Sequence, residues 1–252
     1  EAYNKWHQNK FSMFIHFGLY SYLDGMWNGV PVTDKGSEMI QSAAGIYYDV
    51  YEEVADAFNP EGFNAEELAG IAKKAGMRSI IFTARHHDGF CMFGTETTDF
   101  NSVDATPSGR DFVMELSEAC RKEGLKFGIY FSLLDWHSPY GSHISSHNAD
   151  KISDSLHKEN MEQVQELVLK YGDISEFWFD MGSLTPAQSQ ELYDLIKKFQ
   201  PSCMISDRLG NDCFDFALTS DRKSEDIDEP WQALSPMFHD TWGWRGWQYK
   251  GN

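Results

Sequence analysis

Short β-rich runs alternating with amphipathic helical runs most constrain this chain, because that alternation builds a parallel sheet with helices packed outside it. The first run, residues 10–18, is apolar, of strand length and closed by Gly18. Helical spacing begins after Asn64, an N-cap type, with Leu68, Ile71, Ala72 and Ala75 on one face and Gly76 just beyond. A strand follows at 78–84, a helix at 112–123 stopped by Gly124, and a strand at 125–132. The cycle repeats with a helix at 157–171 that carries Met161, Val164, Leu167 and Val168 on one face, then a strand at 174–182. A helix at 186–199, ended by Pro201, leads to a last strand at 202–206. Residues able to do chemistry recur at the strand ends: His16, His86, His87, Tyr130, Asp180 and Arg208. An open doubly wound sheet would gather its site at one crevice, whereas here nearly every strand contributes. With no GxGxxG or Walker pattern, the expectation is an α/β fold, a (β/α)8-like (TIM-type) barrel, either complete or incomplete at its C-terminal end, as one catalytic domain over residues 1–252.

Asp180 closes an aromatic strand, Phe177-Trp-Phe-Asp180, and Gly182, Ser183 and Pro186 mark a turn right after it. A barrel strand delivers its last residue to the catalytic face, although an aspartate in this place can also cap the next helix. His16 ends an apolar run and reads either as a core histidine or as a ligand-facing one. Two adjacent histidines, His86 and His87, reach one pocket only if the backbone turns, and Asp88-Gly89 supplies a turn. Residues 19–60 read as one long connection that holds Trp27 and Glu38, and long loops in compact domains carry function more often than not.

The net charge of −18 and the scattered Lys/Arg residues exclude a phosphate-backbone partner. No apolar run approaches the roughly 20 residues of a membrane span. A neutral ligand fits better, and 8 Trp within a 15% aromatic composition suit sugar stacking as well as core filling. Cys91, Cys120, Cys203 and Cys213 are far apart and have neither CxxC spacing nor a small scaffold to staple, so a disulfide framework or zinc site is not expected. The compartment stays open, because the chain starts at Glu1 without a methionine or a signal segment.

Phe14-Ile-His-Phe-Gly18, Ala84-Arg-His-His-Asp-Gly-Phe90, Gly128-Ile-Tyr-Phe-Ser132, Phe177-Trp-Phe-Asp180 and Thr241-Trp-Gly243, in this order, resemble the retaining α-L-fucosidases of glycoside hydrolase family 29. The resemblance implies that Asp180 is the nucleophile that attacks the anomeric carbon. It implies that His16, His86, His87 and Tyr130 hold fucose hydroxyls and that Arg208 lies near the nucleophile. Glu38 matches a sugar-binding glutamate more loosely, and Trp27 and Trp242 would line the pocket. A retaining mechanism needs two carboxyl groups about 5 Å apart, one ionised and one protonated. The implied partner is a fucosylated oligosaccharide or glycoprotein glycan, with no nucleic acid and no membrane, and a homo-oligomer stays open. No metal or cofactor is implied, since the histidines lack a carboxylate at metal-ligand spacing and the mechanism needs none.

Two departures stand out. Many family members place a glutamate in a Trp-Glu segment shortly before the Trp-Gly motif, and this chain reads Pro230-Trp231-Gln232 there. Glutamine cannot protonate a leaving group, so the acid/base must come from the neighbouring carboxylates, Asp221 first and Glu229 second, among Glu225, Asp226 and Asp228. The family also continues past the Trp-Gly motif with a helix, a further strand and often a β-sandwich domain, for which the chain to Asn252 leaves no residues. Besides an exo-acting retaining fucosidase, the sequence leaves open a glycosidase of other sugar specificity on the same barrel. It also leaves open a fucose-binding protein without hydrolysis.

Overall fold

The fold was analysed in a computed structural model that describes residues 2–144, 148–219, 230–237 and 240–250. The chain opens with helix α1 (Ala2–His7), strand β1 (Ser12–Ile15) and helix α2 (Leu19–Tyr22). A small hairpin of β2 (Met26–Trp27) and β3 (Val30–Pro31) precedes a 3-10 turn (Ser37–Met39), α3 (Ile40–Ala43) and α4 (Tyr48–Ala57). Helix α5 (Ala65–Lys74), β4 (Ser79–Arg85), α6 (Phe112–Glu123), β5 (Lys126–Ser132), α7 (Asp154–Lys170), β6 (Glu176–Asp180), α8 (Pro186–Phe199) and β7 (Met204–Ile205) then alternate. A 3-10 turn (Asp207–Leu209), β8 (Ala217–Leu218), β9 (Trp231–Gln232) and a last 3-10 turn (Gly246–Lys250) follow.

Strands β1, β4, β5, β6 and β7 form one sheet in that order, all parallel. Each strand joins on the same side as the one before, so the order never reverses as it does in a doubly wound sheet. A parallel bridge between Ser206 and Phe216 carries the winding on to β8, which pairs in parallel with β9. The expected barrel winding is thus present, with seven parallel segments in chain order among the described residues.

Strand periodicity sorts the side chains into two cores. Ile80, Phe82, Ile129, Phe131, Phe177, Phe179 and Ile205 pack outward against the helices. Ile81, Tyr130, Trp178 and Met204 point to the interior, where Trp6, Phe216 and Leu234 join them. Glu176 and Asp180 share the parity of Trp178, and Ser132 that of Tyr130, so polar groups stand at the two ends of an apolar interior.

The helix ends follow the chemistry of their residues. Asn64, Asp111 and Ser153 each accept from a backbone N–H in the first turn of α5, α6 and α7. Thr185 and Gln188 form a reciprocal capping box at α8. Asp180 is therefore not the cap of the helix after it. The expectation of a plain connection over 19–60 is corrected: it contains α2, α3 and α4. Helix α4 buries Tyr51, Val54 and Ala55 and is followed by buried Phe58, an i, i+3, i+4, i+7 stripe that packs on the main core.

Glu176 forms the floor of the interior. It is 1% exposed, and its Oε2 accepts from Trp6 Nε1 (3.3 Å) and Gln232 Nε2 (3.0 Å). Oε1 is buried without a partner among the described residues. Burial pushes its carboxyl up to about 7, only partly offset by those two bonds. A folded-state value above the unfolded one means that the unfolded chain ionises first as pH rises, so stability falls between about 4.5 and 7. Glu176→Gln removes that penalty. Relative to the parent, its unfolding free energy in urea should rise by about 3 kcal/mol from pH 4 to pH 8; a difference independent of pH would show that Glu176 ionises normally.

Candidate active site

Five consecutive strand ends meet above the apolar interior. His16 follows β1 directly, His86 and His87 follow β4, Tyr130 lies in β5, Asp180 ends β6, and Arg208 sits in the 3-10 turn after β7. The register pairs Tyr130 with Trp178 and Ser132 with Asp180, which brings the polar ends of β5 and β6 to one level. The chain turns after β4: Gly89 takes φ +80°, and Asp88 accepts from its own turn at Phe90 N (3.1 Å) and from Tyr51 on α4 (2.9 Å). Both histidines therefore face the same space, with ring centroids 4.0 Å apart.

The rings form a continuous wall. His86 stacks on Tyr130 at 5.4 Å and 11°, and His16 stands 5.0 Å from Tyr130 and 5.8 Å from Trp242, nearly parallel to the latter. Trp178 stacks on Tyr130 from below (5.5 Å), and the Arg208 guanidinium lies 4.9 Å over the Trp178 ring. Tyr20 meets His86 edge-on at 5.4 Å, and Trp136 flanks His87 at 5.5 Å.

Asp180 is the focus of the polar contacts. Its Oδ1 accepts from Arg208 Nη1, its Oδ2 accepts from the Tyr130 hydroxyl at 2.6 Å, and His87 Nε2 stands 3.7 Å from Oδ2. Burial opposes the charged form, but His87 where acid protonates it, the Arg208 charge and the hydrogen bonds from Tyr130 and Arg208 outweigh it and hold the carboxyl below its usual value. Burial has the opposite consequence for the imidazoles. It drives His16 down to about 3, His87 to about 4 and His86 well below the usual value, even though Asp180 pulls His16 and His87 the other way. At neutral pH all three rings are uncharged, so Arg208 and Tyr130 carry the stabilisation of the carboxylate. His86 Nδ1 is buried and has no partner among the described residues.

Glu38 is in the site region but is engaged by the protein itself. Its Oε2 accepts from Thr241 Oγ1 (3.3 Å), Trp242 N (3.1 Å) and Gly243 N (2.8 Å), fastening the loop that sets Trp242 against His16. Burial raises its carboxyl and those donors pull it back. A Cβ on Gly243 would come within 2.5 Å of Ser37 Oγ, so the tight fit of this loop requires glycine there. Trp27 lies in β2, partly buried against the main core, and among the described residues it makes no ring contact with the wall. Asp221 and Glu229 lie outside the described residues. Gln232 points away from Asp180, with its Oε1 accepting from Trp178 Nε1 at 3.2 Å and its Nε2 donating to Glu176.

Sequence reasoning missed Tyr20, Ser132, Trp136 and Trp178 as parts of the site. The signal for two of them was parity, since Ser132 and Trp178 are two residues from Tyr130 and Asp180 on the same strands. Among the described residues no group of three or more His, Cys, Asp or Glu side chains could hold a metal ion, and no helix is long and apolar enough to cross a membrane.

A carboxylate held ionised at a barrel strand end, inside a wall of neutral imidazoles and indoles, defines an α/β-barrel protein with an aromatic-walled pocket. The family profile for alpha-L-fucosidase matches residues 1–251, and the chain belongs to that family. It is 30% identical over 215 residues to alpha-L-fucosidase 1 of Arabidopsis thaliana, covering 82% of this chain and 37% of that protein. An alpha-L-fucosidase of Lactobacillus casei, solved in complex with alpha-L-fucose, superimposes with a TM-score of 0.85 at 35% identity, over 97% of this chain and 82% of the other. A Bacteroides thetaiotaomicron enzyme of the same family gives a TM-score of 0.89 at 26% identity, over 97% and 61%. These likenesses bear out the barrel class expected from the sequence. The chain spans well under half the length of the Arabidopsis relative.

Arg208→Gln removes the charge that faces Asp180 and leaves the other contacts in place. The midpoint of the Asp180 carboxyl, followed by carbon NMR against pH, should rise by about one to three units. An unchanged midpoint would mean that His87 and Tyr130 set the ionisation without Arg208.

Proposed function

We propose that this chain hydrolyses terminal α-L-fucose from glycans by a retaining double displacement with Asp180 as nucleophile. The observation that carries the reading is the Asp180 carboxylate itself, buried yet held ionised between Arg208 and the Tyr130 hydroxyl. In the first step an Asp180 oxygen forms an ester to the anomeric carbon while the bond to the aglycone oxygen breaks, and a protonated carboxyl gives that oxygen its proton. In the second, the same carboxylate takes a proton from water as the water oxygen displaces Asp180 and restores the configuration. The acid/base falls to Asp221 or Glu229, the carboxylates nearest in sequence to the place where the family carries a glutamate.

The surrounding groups suit a neutral deoxy sugar. Uncharged imidazoles at positions 16, 86 and 87 keep at least one nitrogen able to accept, which matches ring hydroxyls better than charged rings would. Trp242, partly exposed beside His16, offers an apolar face for the C–H surface and the methyl group. The Lactobacillus casei relative binds alpha-L-fucose, which supports a fucosylated oligosaccharide or glycoprotein glycan as the substrate class here.

Release of nitrophenol from 4-nitrophenyl α-L-fucoside tests the reading. Asp180→Ala should lower turnover roughly 10,000-fold, and azide should restore activity to whichever of Asp221→Ala and Glu229→Ala removes the acid/base. Undiminished turnover by Asp180→Ala would overturn the nucleophile assignment. Fucose binding by the parent without release would favour a binding protein, and release from another nitrophenyl glycoside alone would favour a different sugar specificity.

A further inference from the structure

Ser132, the last residue of β5, stands behind His87, and the geometry of its hydroxyl decides which nitrogen of that imidazole carries the proton. Ser132 Oγ lies 2.8 Å from the Leu134 carbonyl oxygen and 2.7 Å from His87 Nδ1. A carbonyl can only accept, so the one hydroxyl proton goes to Leu134 O. The bond to His87 must then be donated by the ring, from Nδ1–H. The opposite arrangement would turn the hydroxyl toward Nδ1 and leave the Leu134 carbonyl without its donor, since among the described residues no other donor reaches it. Leu134 is fully buried, where an unpaired acceptor is costly.

The serine cannot readily move out of this role. Its carbonyl accepts from Arg85 Nη2 at 2.7 Å, and it pairs in register with Asp180, whose own carbonyl accepts from Leu133 N at 2.8 Å. Arg85 is itself fixed by Gln163 (2.7 Å), Asn160 (2.6 Å) and the nearby Asp135 (3.4 Å). His87 is held from its backbone side by Trp136 N, which donates to its carbonyl at 2.9 Å.

An imidazole with one proton, on Nδ1, presents Nε2 as a bare acceptor. That atom faces Asp180 Oδ2 at 3.7 Å, too far for a hydrogen bond, and Oδ2 already accepts from Tyr130. Two acceptors thus face each other across a gap with no proton between them. A ligand hydroxyl entering there lowers the energy by donating to Nε2, whereas an ether oxygen or a fluorine would add a third acceptor.

We propose that Ser132 is a positioning residue that fixes His87 as the Nδ1–H tautomer, so that Nε2 selects a sugar bearing a free hydroxyl donor at the ring position nearest the nucleophile. The proposal rests on the reading of this pocket as a fucoside site, but the tautomer exists without any sugar and is read separately.

Nitrogen-15 NMR of histidine-labelled protein at pH 7, with the His87 signals assigned by their loss in His87→Asn, reports the tautomer directly. The parent should show a protonated Nδ1 and an unprotonated Nε2 for His87. Ser132→Ala should shift it toward the Nε2–H form while the signals of His16 and His86 stay in place, which shows that the fold is kept. Ser132→Thr, which keeps the hydroxyl, should retain the parental tautomer. With 4-nitrophenyl α-L-fucoside, Ser132→Ala should raise KM about tenfold with a smaller change in kcat, the loss of roughly one ligand hydrogen bond. Among fucosides deoxygenated, fluorinated or O-methylated at single positions, one position should lose binding to the parent with all three changes and lose little with Ser132→Ala. A parental His87 protonated on Nε2, or a tautomer unchanged in Ser132→Ala, overturns the proposal whether or not the chain turns over fucosides. A parent that shows the Nδ1–H form but no fucoside binding would instead overturn the reading of the pocket.

Discussion

Keeping one carboxylate charged inside a wall of aromatic rings is the condition on which the rest of this site depends. Burial alone would protonate Asp180, and the three neighbouring histidines cannot prevent it at neutral pH because burial strips their own charge first. The compensation has to come from a group that stays charged when half-buried, and a guanidinium does. Arg208 meets that need from the turn after β7, lying flat over Trp178 so that its apolar face is also covered. The Tyr130 hydroxyl completes the arrangement from the neighbouring strand. Asp180 therefore contributes stability above the ordinary carboxylate range and loses it as pH falls, and the three histidines act in the same direction as pH falls through their unfolded value of about 6.5. Glu176 and Asp88, each pushed up to about 7 by burial, act in the opposite direction. The molecule thus carries opposed acid and base penalties, with Glu176 at one end of the apolar interior and the histidines and Asp180 at the other.

The frame that delivers these groups is the parallel register. Because Ser132 pairs with Asp180 and Tyr130 with Trp178, the polar tips of β5 and β6 are level and their apolar bodies interlock one layer below. The buried Arg85 network ties β4, β5 and α7 together just outside that layer, through Ser132 O, Asn160 and Gln163. Glu38 does the corresponding work on the far side, where one carboxylate oxygen gathers the loop at 241–243. Strands set the depth of the polar groups at the strand ends, and buried polar networks set their angles.

Much of this could be read in the sequence, and the reason is local. Strands β4, β5 and β6 are continuous apolar runs that start after a helix-stopping glycine or a polar turn, and their last residues are polar, so the positions of His86, His87, Tyr130 and Asp180 at the strand ends follow from the pattern. Helices α5, α6 and α8 carry caps that name their own boundaries. Residues 19–60 resisted because α2 and α3 are four residues each, too short for propensity to decide, and are held by tertiary contacts instead. Glu38 resisted for another reason. Its partners are more than 200 positions away, so nothing near it in sequence indicates that its carboxylate fastens a loop as well as facing a site. Ser132 was legible only as a strand residue, since its function resides in where a single proton goes.

Gln232, where the resemblance leads one to expect a glutamate, answers to a constraint of its own. Its amide has two roles at once, accepting from Trp178 Nε1 and donating to Glu176 Oε2. A glutamate there could accept from Trp178 but could not donate while ionised, and it would set a second carboxylate against the buried Glu176, whose charge burial already resists. The amide is therefore matched to Glu176 below it, and Glu176 in turn holds Trp6 and closes the floor of the interior. Trp178, the other partner, supports both Tyr130 and Arg208. The consequence reaches upward: the glutamine at this place stabilises the layer that carries Tyr130 and Arg208, the two hydrogen-bond donors to Asp180.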